Sequence, residues 1–170
     1  TKSTHTLEEV VTESDFVFVG VPTPMTNVLG GEIDLSIMDS VMSDISNCYK
    51  GRDTVFIIKS TVAPGTVEKY ESLYPELKIA FNPEFLTERS ARLDFINAAR
   101  IVIGGTEEVC QKVEDLYRVR FPYTKIIKTD LKSAQFIKYM CNCFFATKVS
   151  FMNEMFQASE AAGCNWNSVV

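Results

Sequence analysis

The sequence has little of what a metal centre or a nucleic-acid-binding surface requires. It contains one histidine, His5, and its cysteines lack the paired spacing of zinc ligands, so we predict no metal site. Lysine and arginine are scattered along the chain and the net charge is −5, which makes nucleic acid a poor candidate partner. The five cysteines are Cys48, Cys110, Cys141, Cys143 and Cys164.

Long hydrophobic runs are also absent. No apolar stretch reaches the roughly 18 residues that a membrane-spanning helix needs, and the N-terminus lacks the basic and apolar regions of a signal peptide. An odd number of cysteines without a pairing pattern indicates reduced thiols. We therefore expect a cytoplasmic protein without a membrane partner. The chain begins with Thr1 instead of Met, which we interpret as the loss of an upstream segment.

Enough apolar residues are present to build one globular core. The chain has 170 residues, of which 46% are hydrophobic and 23% charged. Short apolar runs alternate with amphipathic segments, so we predict strands and helices in turn. The predicted strands are residues 15–21, 54–58, 78–81, 100–103 and 125–128, and the predicted helices are 34–50, with Asp34 as N-cap, 66–73 and 107–119.

This alternation predicts the α/β class, with a partial doubly wound (Rossmann-like) parallel sheet and helices on both faces. A long C-terminal helix over residues 130–162 follows the sheet and ends at Gly163. Its second half, residues 144–158, is apolar almost all round. A helix of that kind is buried in a larger body or against a partner.

Three polar tripeptides directly follow predicted strands, at residues 22–24 (Pro-Thr-Pro), 60–62 (Ser-Thr-Val) and 83–85 (Pro-Glu-Phe). Ligands of doubly wound sheets bind beyond the carboxyl ends of the strands. Proline and threonine also terminate strands for purely structural reasons. Three such tripeptides in succession nevertheless favour a ligand site.

Two pairs of polar residues are spaced four apart. Glu84 and Glu88 would share one face of a helical turn, where one could hold a water and the other contact a ligand, although solvated carboxylates are the alternative. Lys138 and Asn142 share one face of the long helix and suit an anionic or oxyanion ligand. The alternative for Lys138 is a lysine that extends from a core helix into solvent.

These motifs stand in a specific order along the chain. They are Val21-Pro22-Thr23-Pro24, Lys59-Ser60-Thr61-Val62-x-Pro64-Gly65-Thr66, Asn82-Pro83-Glu84-Phe85-Leu86-x-Glu88, Arg100-Ile101-Val102-Ile103-Gly104 and Lys138-Tyr139-x-x-Asn142. In order and spacing, from Asp15 to Gly163, the sequence resembles the UDP-glucose/GDP-mannose dehydrogenase family.

The resemblance implies an NAD-dependent enzyme that oxidises a nucleotide sugar at C6 from alcohol to carboxylate. Two hydrides leave in succession, through an aldehyde that a cysteine holds first as a thiohemiacetal and then as a thioester. UDP-glucose is the implied substrate, with UDP-glucuronate for polysaccharide biosynthesis as the product. GDP-mannose and UDP-N-acetylmannosamine are the alternative substrates.

The resemblance also implies roles for individual residues. Cofactor contacts fall to Pro22, Thr23, Ser60, Thr61 and Glu88. Thr61 and Glu88 would in addition help to position water, and Lys138 and Asn142 would stabilise the oxyanion, so that the implied catalytic set is Thr61, Glu84, Glu88, Lys138 and Asn142. The implied substrate contacts are Glu84, Phe85, Leu86, Lys138 and Asn142.

Two family motifs have no counterpart in this sequence. They are the glycine-rich GxGxxG turn that holds the pyrophosphate and the later Gly-Gly-x-Cys-x-Pro-Lys-Asp segment that carries the nucleophile. Residues 98–100 are Ala-Ala-Arg, where the family has Pro-Asp-Arg. We therefore expect an internal fragment that is inactive by itself.

The resemblance implies two domains. Residues 1–129 would form the C-terminal part of an NAD-binding Rossmann-like domain, and residues 130–170 the start of a central helical domain that forms a homodimer. Two other interpretations stay open. A β-hydroxyacid dehydrogenase also has a lysine and an asparagine four apart on a long helix, although residues 82–88 argue against it. A non-catalytic half-Rossmann module would serve only in assembly.

Overall fold

The structure is a computed structural model that describes residues 5–26, 30–87 and 89–170. It divides into two compact units, Thr1–Lys138 and Tyr139–Val170, which are considered separately. None of the described helices is both long enough and apolar enough to cross a membrane.

The first unit contains five strands and five helices, together with the beginning of a sixth helix, within the described residues. In chain order they are α1 (Leu7–Glu13), β1 (Phe16–Val19), α2 (Ser36–Cys48), β2 (Val55–Ile58), α3 (Thr66–Leu73), β3 (Lys78–Phe81), α4 (Ala91–Ile96), β4 (Arg100–Gly104), α5 (Glu107–Arg118), β5 (Lys125–Thr129) and α6 (Leu131–Ala161). Helix α6 continues into the second unit, which ends with a short 3-10 helix, Trp166–Ser168.

The strands form one sheet in the order β1-β2-β3-β4-β5. The first three are parallel to one another, and β4 is parallel to β5. Strand β4 pairs with β3 antiparallel, at Phe81 and Gly104. The α/β prediction is confirmed, but the sheet is mostly rather than wholly parallel.

Helices cover both faces of this sheet. On one face, α2 and α3 bury Met38, Met42 and Tyr70 against the strands, together with Leu131 and Ala134 from the start of α6. On the other face, α5 contributes a second buried cluster that includes Val109, Val113 and Tyr117. All four residues of β2 are buried, because this strand is covered on both faces.

The start of α6 is fixed to its neighbours by two contacts. A Cβ atom added at Gly104 would lie 2.6 Å from Ala134 Cβ, so only glycine lets the end of β4 approach the helix this closely. The fully buried Gln135 accepts a hydrogen bond from the backbone N–H of Val67 at 3.2 Å and donates to Glu68 Oε2 at 2.6 Å. Helix α3, which follows the Ser-Thr-Val loop, is thereby joined to α6 one turn before Lys138.

Some predicted boundaries were wrong. Helix α2 begins at Ser36 with Leu35 as its N-cap, because the Asp34 carboxylate accepts a hydrogen bond from the Ser36 N–H at 2.9 Å and so closes a turn ahead of the helix. Helices α1 and α4 were not predicted. The sequence signal for α1 is a capping box, in which Thr6 and Glu9 each bind the other's backbone N–H.

Candidate active site

Two loops at the carboxyl end of the parallel strands are bound to each other. The Ser60 hydroxyl accepts a hydrogen bond from the Val21 N–H and donates one to the Val21 carbonyl oxygen, both at 2.8 Å. The Thr23 hydroxyl donates to the Thr61 carbonyl oxygen, also at 2.8 Å. The loops after β1 and β2 therefore meet at one edge of the sheet, as the sequence predicts.

The third loop, after β3, meets the start of α6. The Lys138 ammonium donates to Glu84 Oε1 at 2.8 Å and to the Glu84 carbonyl oxygen at 2.5 Å. It also lies 5.5 Å from the centroid of the Phe85 ring. Lys138 is only 4% exposed, so it does not extend into solvent. A buried ammonium requires such a partner, because an unpaired charge in the interior is strongly unfavourable.

The Glu84 carboxylate is held in its ionised form. Burial by itself raises its pKa, but hydrogen bonds from Lys138 and from the Leu86 N–H, together with the positive charges of Lys138 and Lys59, outweigh burial. The net effect is a pKa below the usual value for glutamate. The Leu86 N–H reaches Glu84 Oε2 at 2.6 Å, so both carboxylate oxygens are hydrogen-bonded.

A polar cluster beside the pair was not predicted. Asn82 is buried, and its side-chain oxygen accepts hydrogen bonds from Lys59 Nζ at 2.8 Å and from the Tyr117 hydroxyl at 2.5 Å. Burial lowers the pKa of Lys59 to about 8, with Glu84 opposing this effect and Lys138 adding to it. Burial raises the pKa of Tyr117 to about 12. The signal for Lys59 was its place at the end of a buried strand, whereas nothing in the sequence marks Tyr117.

A cavity of about 350 Å³ opens next to this cluster, within the size range of small-molecule sites. The Arg100 guanidinium carbon lies 5.1 Å from the centroid of the Phe85 ring, so this ring has cationic groups from two elements near it. The lining residues that bear on ligand binding are Lys59, Glu84, Phe85, Leu86, Arg100 and Tyr117.

The remaining predicted site residues differ in what the structure says of them. Glu88 lies outside the described residues. Asn142 is an exposed residue of the second unit, so its place in the site stays a prediction. Pro22 is exposed at the first loop, and the Thr61 hydroxyl has no hydrogen-bond partner among the described residues. The Ser60 hydroxyl already donates and accepts within the protein, so its bonds serve to join the two loops.

The backbone at the start of the first loop is open to a ligand. Gly20, at the end of β1, is exposed, and no atom lies within 4 Å of the position that its Cβ would take. Thr23 and Thr61 belong to the two loops that meet here, and hydroxyl side chains of this kind can hydrogen-bond to a cofactor such as NAD. Among the residues that the structure describes, no group of three potential metal ligands occurs.

A mostly parallel α/β sheet with polar loops at the carboxyl ends of its strands is typical of the class of dinucleotide-binding domains found in dehydrogenases. Comparison with family models gives the particular family. Residues 1–120 match the NAD binding domain of the UDP-glucose/GDP-mannose dehydrogenase family, and residues 132–170 match its central domain. The chain belongs to this family, and a β-hydroxyacid dehydrogenase is no longer a competing assignment.

Individual relatives agree with this assignment. UDP-glucose 6-dehydrogenase YwqF of Bacillus subtilis is 36% identical over 171 residues, which cover 95% of this chain and 38% of that protein. The structure of GDP-mannose dehydrogenase from Pseudomonas aeruginosa superposes with a TM-score of 0.83 at 29% identity, over 96% of this chain and 39% of the other. A UDP-D-ManNAc dehydrogenase from Pyrococcus horikoshii gives 0.85 at 25% identity, over 98% and 41%. The chain thus spans about 38% of the length of the curated relative.

The state of Glu84 leads to a prediction about pH. A carboxylate with a lowered pKa in the folded state stabilises the fold above its unfolded pKa, and this contribution is lost as the pH falls through the folded pKa. In Glu84→Gln, the unfolding free energy measured with urea should therefore fall less steeply below about pH 4.5, by up to about 1.4 kcal/mol per pH unit. Glu71→Gln, an exposed residue of α3, is the control. Identical acid slopes for wild type and Glu84→Gln would contradict the prediction.

Proposed function

We propose that this chain is part of an NAD-dependent nucleotide-sugar 6-dehydrogenase that oxidises UDP-glucose to UDP-glucuronate in two hydride transfers. The observation that carries the proposal is the contact between Lys138 and Glu84, two residues 54 positions apart in the sequence. Family membership supports the same reaction class. In this proposal residues 1–129 belong to the NAD-binding domain and residues 130–170 begin the central domain.

Lys138 supplies positive charge where an oxygen of the substrate becomes anionic. Its ammonium is buried, and Glu84 and the Glu84 carbonyl group hold it in place. A preorganised donor in a site of low dielectric stabilises a developing oxyanion without reorganisation, and removal of one such donor costs about 10²–10³ in rate. Asn142, four residues further along α6, is the proposed second donor.

Glu84 and Thr61 have proposed roles on either side of the reacting carbon. Glu84 orients the Lys138 ammonium and contacts the sugar, and the Thr61 hydroxyl helps to position a water. Glu88 is a further candidate for orienting that water. NAD accepts the hydride when it is bound, and Pro22, Thr23 and Thr61 are the proposed residues that hold its nicotinamide half. Ser60 contributes by fixing the loops that present them.

The cavity beside Phe85 and Leu86 is the proposed place of the sugar. Both side chains are partly buried and line it, while Arg100 adds positive charge that suits a phosphate-bearing ligand. UDP-glucose is proposed because the curated relatives with up to 36% identity carry that name. GDP-mannose and UDP-N-acetylmannosamine are the alternatives, since solved structures of such dehydrogenases share the fold. We further propose a cytoplasmic location.

Calorimetry with UDP-glucose tests the proposed site. Wild type should bind weakly, and Lys138→Ala should reduce the binding constant at least tenfold, because the ligand loses its buried cation. Lys132→Ala, an exposed lysine of the same helix, should bind like wild type. Equal binding by Lys138→Ala and wild type would contradict the proposal. Binding by wild type that Lys138→Ala abolishes would exclude a module that serves only in assembly.

The proposed activity also requires parts that this sequence does not contain. Without a glycine-rich pyrophosphate turn NAD is poorly anchored, and without the family's cysteine motif oxidation cannot pass the aldehyde. We expect no absorbance increase at 340 nm when the 170-residue chain is mixed with NAD and UDP-glucose. Reduction of NAD by this chain would show that these parts are dispensable.

The second half of α6 supports a proposal about assembly. Phe144, Phe145, Val149 and Phe151 are each about 60% exposed. So many large apolar side chains on one helix are unfavourable in water, and we propose that a second copy of the chain covers them in a homodimer.

Light scattering tests the dimer directly. Wild type at tens of micromolar should have the mass of a dimer or a larger species, and the double variant Phe145→Glu/Val149→Glu should be a monomer, because burying two carboxylates in an apolar contact is strongly unfavourable. Tyr123→Glu, at a residue 98% exposed in the first unit, is the matched control and should retain the wild-type mass. A wild-type monomer at this concentration would contradict the dimer.

A further inference from the structure

The Asn82 side chain is a junction between three strands and a helix. Its oxygen accepts hydrogen bonds from Lys59 Nζ, at the end of β2, and from the hydroxyl of Tyr117 on α5. Its amide nitrogen donates to the Val102 carbonyl oxygen of β4 at 2.7 Å. Asn82 is 2% exposed, so these bonds are not exchanged for bonds to water. Removing a donor therefore leaves a buried acceptor less well satisfied.

This junction begins the turn that carries Glu84. The backbone N–H of Asn82 donates to the Ile58 carbonyl oxygen at 2.9 Å, which fixes the residue to β2. Pro83 follows, and a proline restricts both its own φ and the conformation of the preceding residue. With Asn82 fixed on both backbone and side chain, the direction in which Glu84 leaves the strand is narrowly defined.

Two amines therefore flank the same short turn. Lys138 binds Glu84 directly, whereas Lys59 binds Asn82 two residues earlier. Lys59 is one of the residues that line the cavity, but its ammonium is directed to the asparagine oxygen. The charges of Glu84 and Lys138 act on Lys59, and Tyr117 shares its acceptor. Arg100 and Asp94 line the same cavity.

We infer that Lys59 is a positioning residue of the candidate active site: by holding the side chain of Asn82, it directs Glu84 towards Lys138 and keeps the buried ammonium enclosed. The inference rests on the proposed function for its catalytic meaning. Its test measures how well Lys138 is protected from a reagent, and not turnover or ligand binding. The inference can therefore fail while the proposed function stands, and the proposed function can fail while the inference stands.

The experiment measures how fast Lys138 reacts with acetic anhydride. The intact folded chain is labelled, and the extent of reaction at each lysine is then determined by mass spectrometry of its peptides. An amine that is 4% exposed reacts through local opening. Lys59→Met keeps the chain length but removes the donor to Asn82, and the loss of one hydrogen bond should increase Lys138 labelling about fivefold. Lys59→Arg restores a cationic donor, which the adjoining cavity has room for, and should return labelling towards the wild-type rate.

Three controls separate positioning from general destabilisation. Labelling of the exposed Lys132 should be the same in all variants, and labelling of the exposed Lys69 should be the same in every variant that retains it. Lys69→Met, which removes a surface lysine near Asp39, should leave Lys138 protected. Tyr117→Phe removes the other donor to Asn82 without a change of charge, so it should increase Lys138 labelling by itself, and in combination with Lys59→Met by more than the product of the two effects.

The inference would be overturned if Lys138 in Lys59→Met is labelled at the wild-type rate, even if this variant unfolds at a lower temperature. Lys59 would then be a purely structural residue. If Lys59→Met does not fold, Tyr117→Phe decides the matter. An unchanged rate in that variant would equally overturn the proposed path through Asn82, and an increased rate would support it.

Discussion

The ion pair between Lys138 and Glu84 is the interaction on which the rest of the site depends. An ammonium that is 4% exposed is tolerated only because a carboxylate and a carbonyl oxygen accept its hydrogen bonds. The pair in turn fixes the geometry of the motifs, since it brings the loop after β3 against the start of α6. An ion pair with one buried partner contributes little net stability, because desolvation of the ammonium offsets the attraction. In the proposed function, the pair presents a preorganised cation to a ligand.

The surrounding fold holds both partners of the pair in place. On one side, Asn82 and Pro83 define how the chain leaves β3. Lys59 and Tyr117 both donate hydrogen bonds to the side-chain oxygen of Asn82. On the other side, the close approach of Gly104 to Ala134 and the hydrogen bonds of Gln135 to α3 fix the position of the start of α6. Each of these contacts joins segments that are distant in sequence. The site is therefore a product of the whole first unit and not of any one motif.

Local patterns were sufficient for much of the fold. Helix α3 and strand β3 have the predicted bounds, since an amphipathic period and a short apolar run between turn residues leave few alternatives. The reversal of β4 could not be predicted, because an apolar run has the same composition in either direction. Two of the predicted tripeptides meet through Ser60 and Thr23, and the third meets the lysine of α6. Tyr117 was missed because its partner, Asn82, lies 35 residues away and only the folded sheet brings them together.

The central claim is that Lys138 and Glu84 interact directly in the folded chain. A double-mutant cycle with Lys138→Met and Glu84→Gln, followed by urea unfolding at pH 7, measures this interaction most directly. The single variants should each destabilise the chain, and the double variant should recover part of the loss, with a coupling free energy of about 1–3 kcal/mol. Strictly additive effects, with no coupling beyond the error of the measurement, would contradict the account.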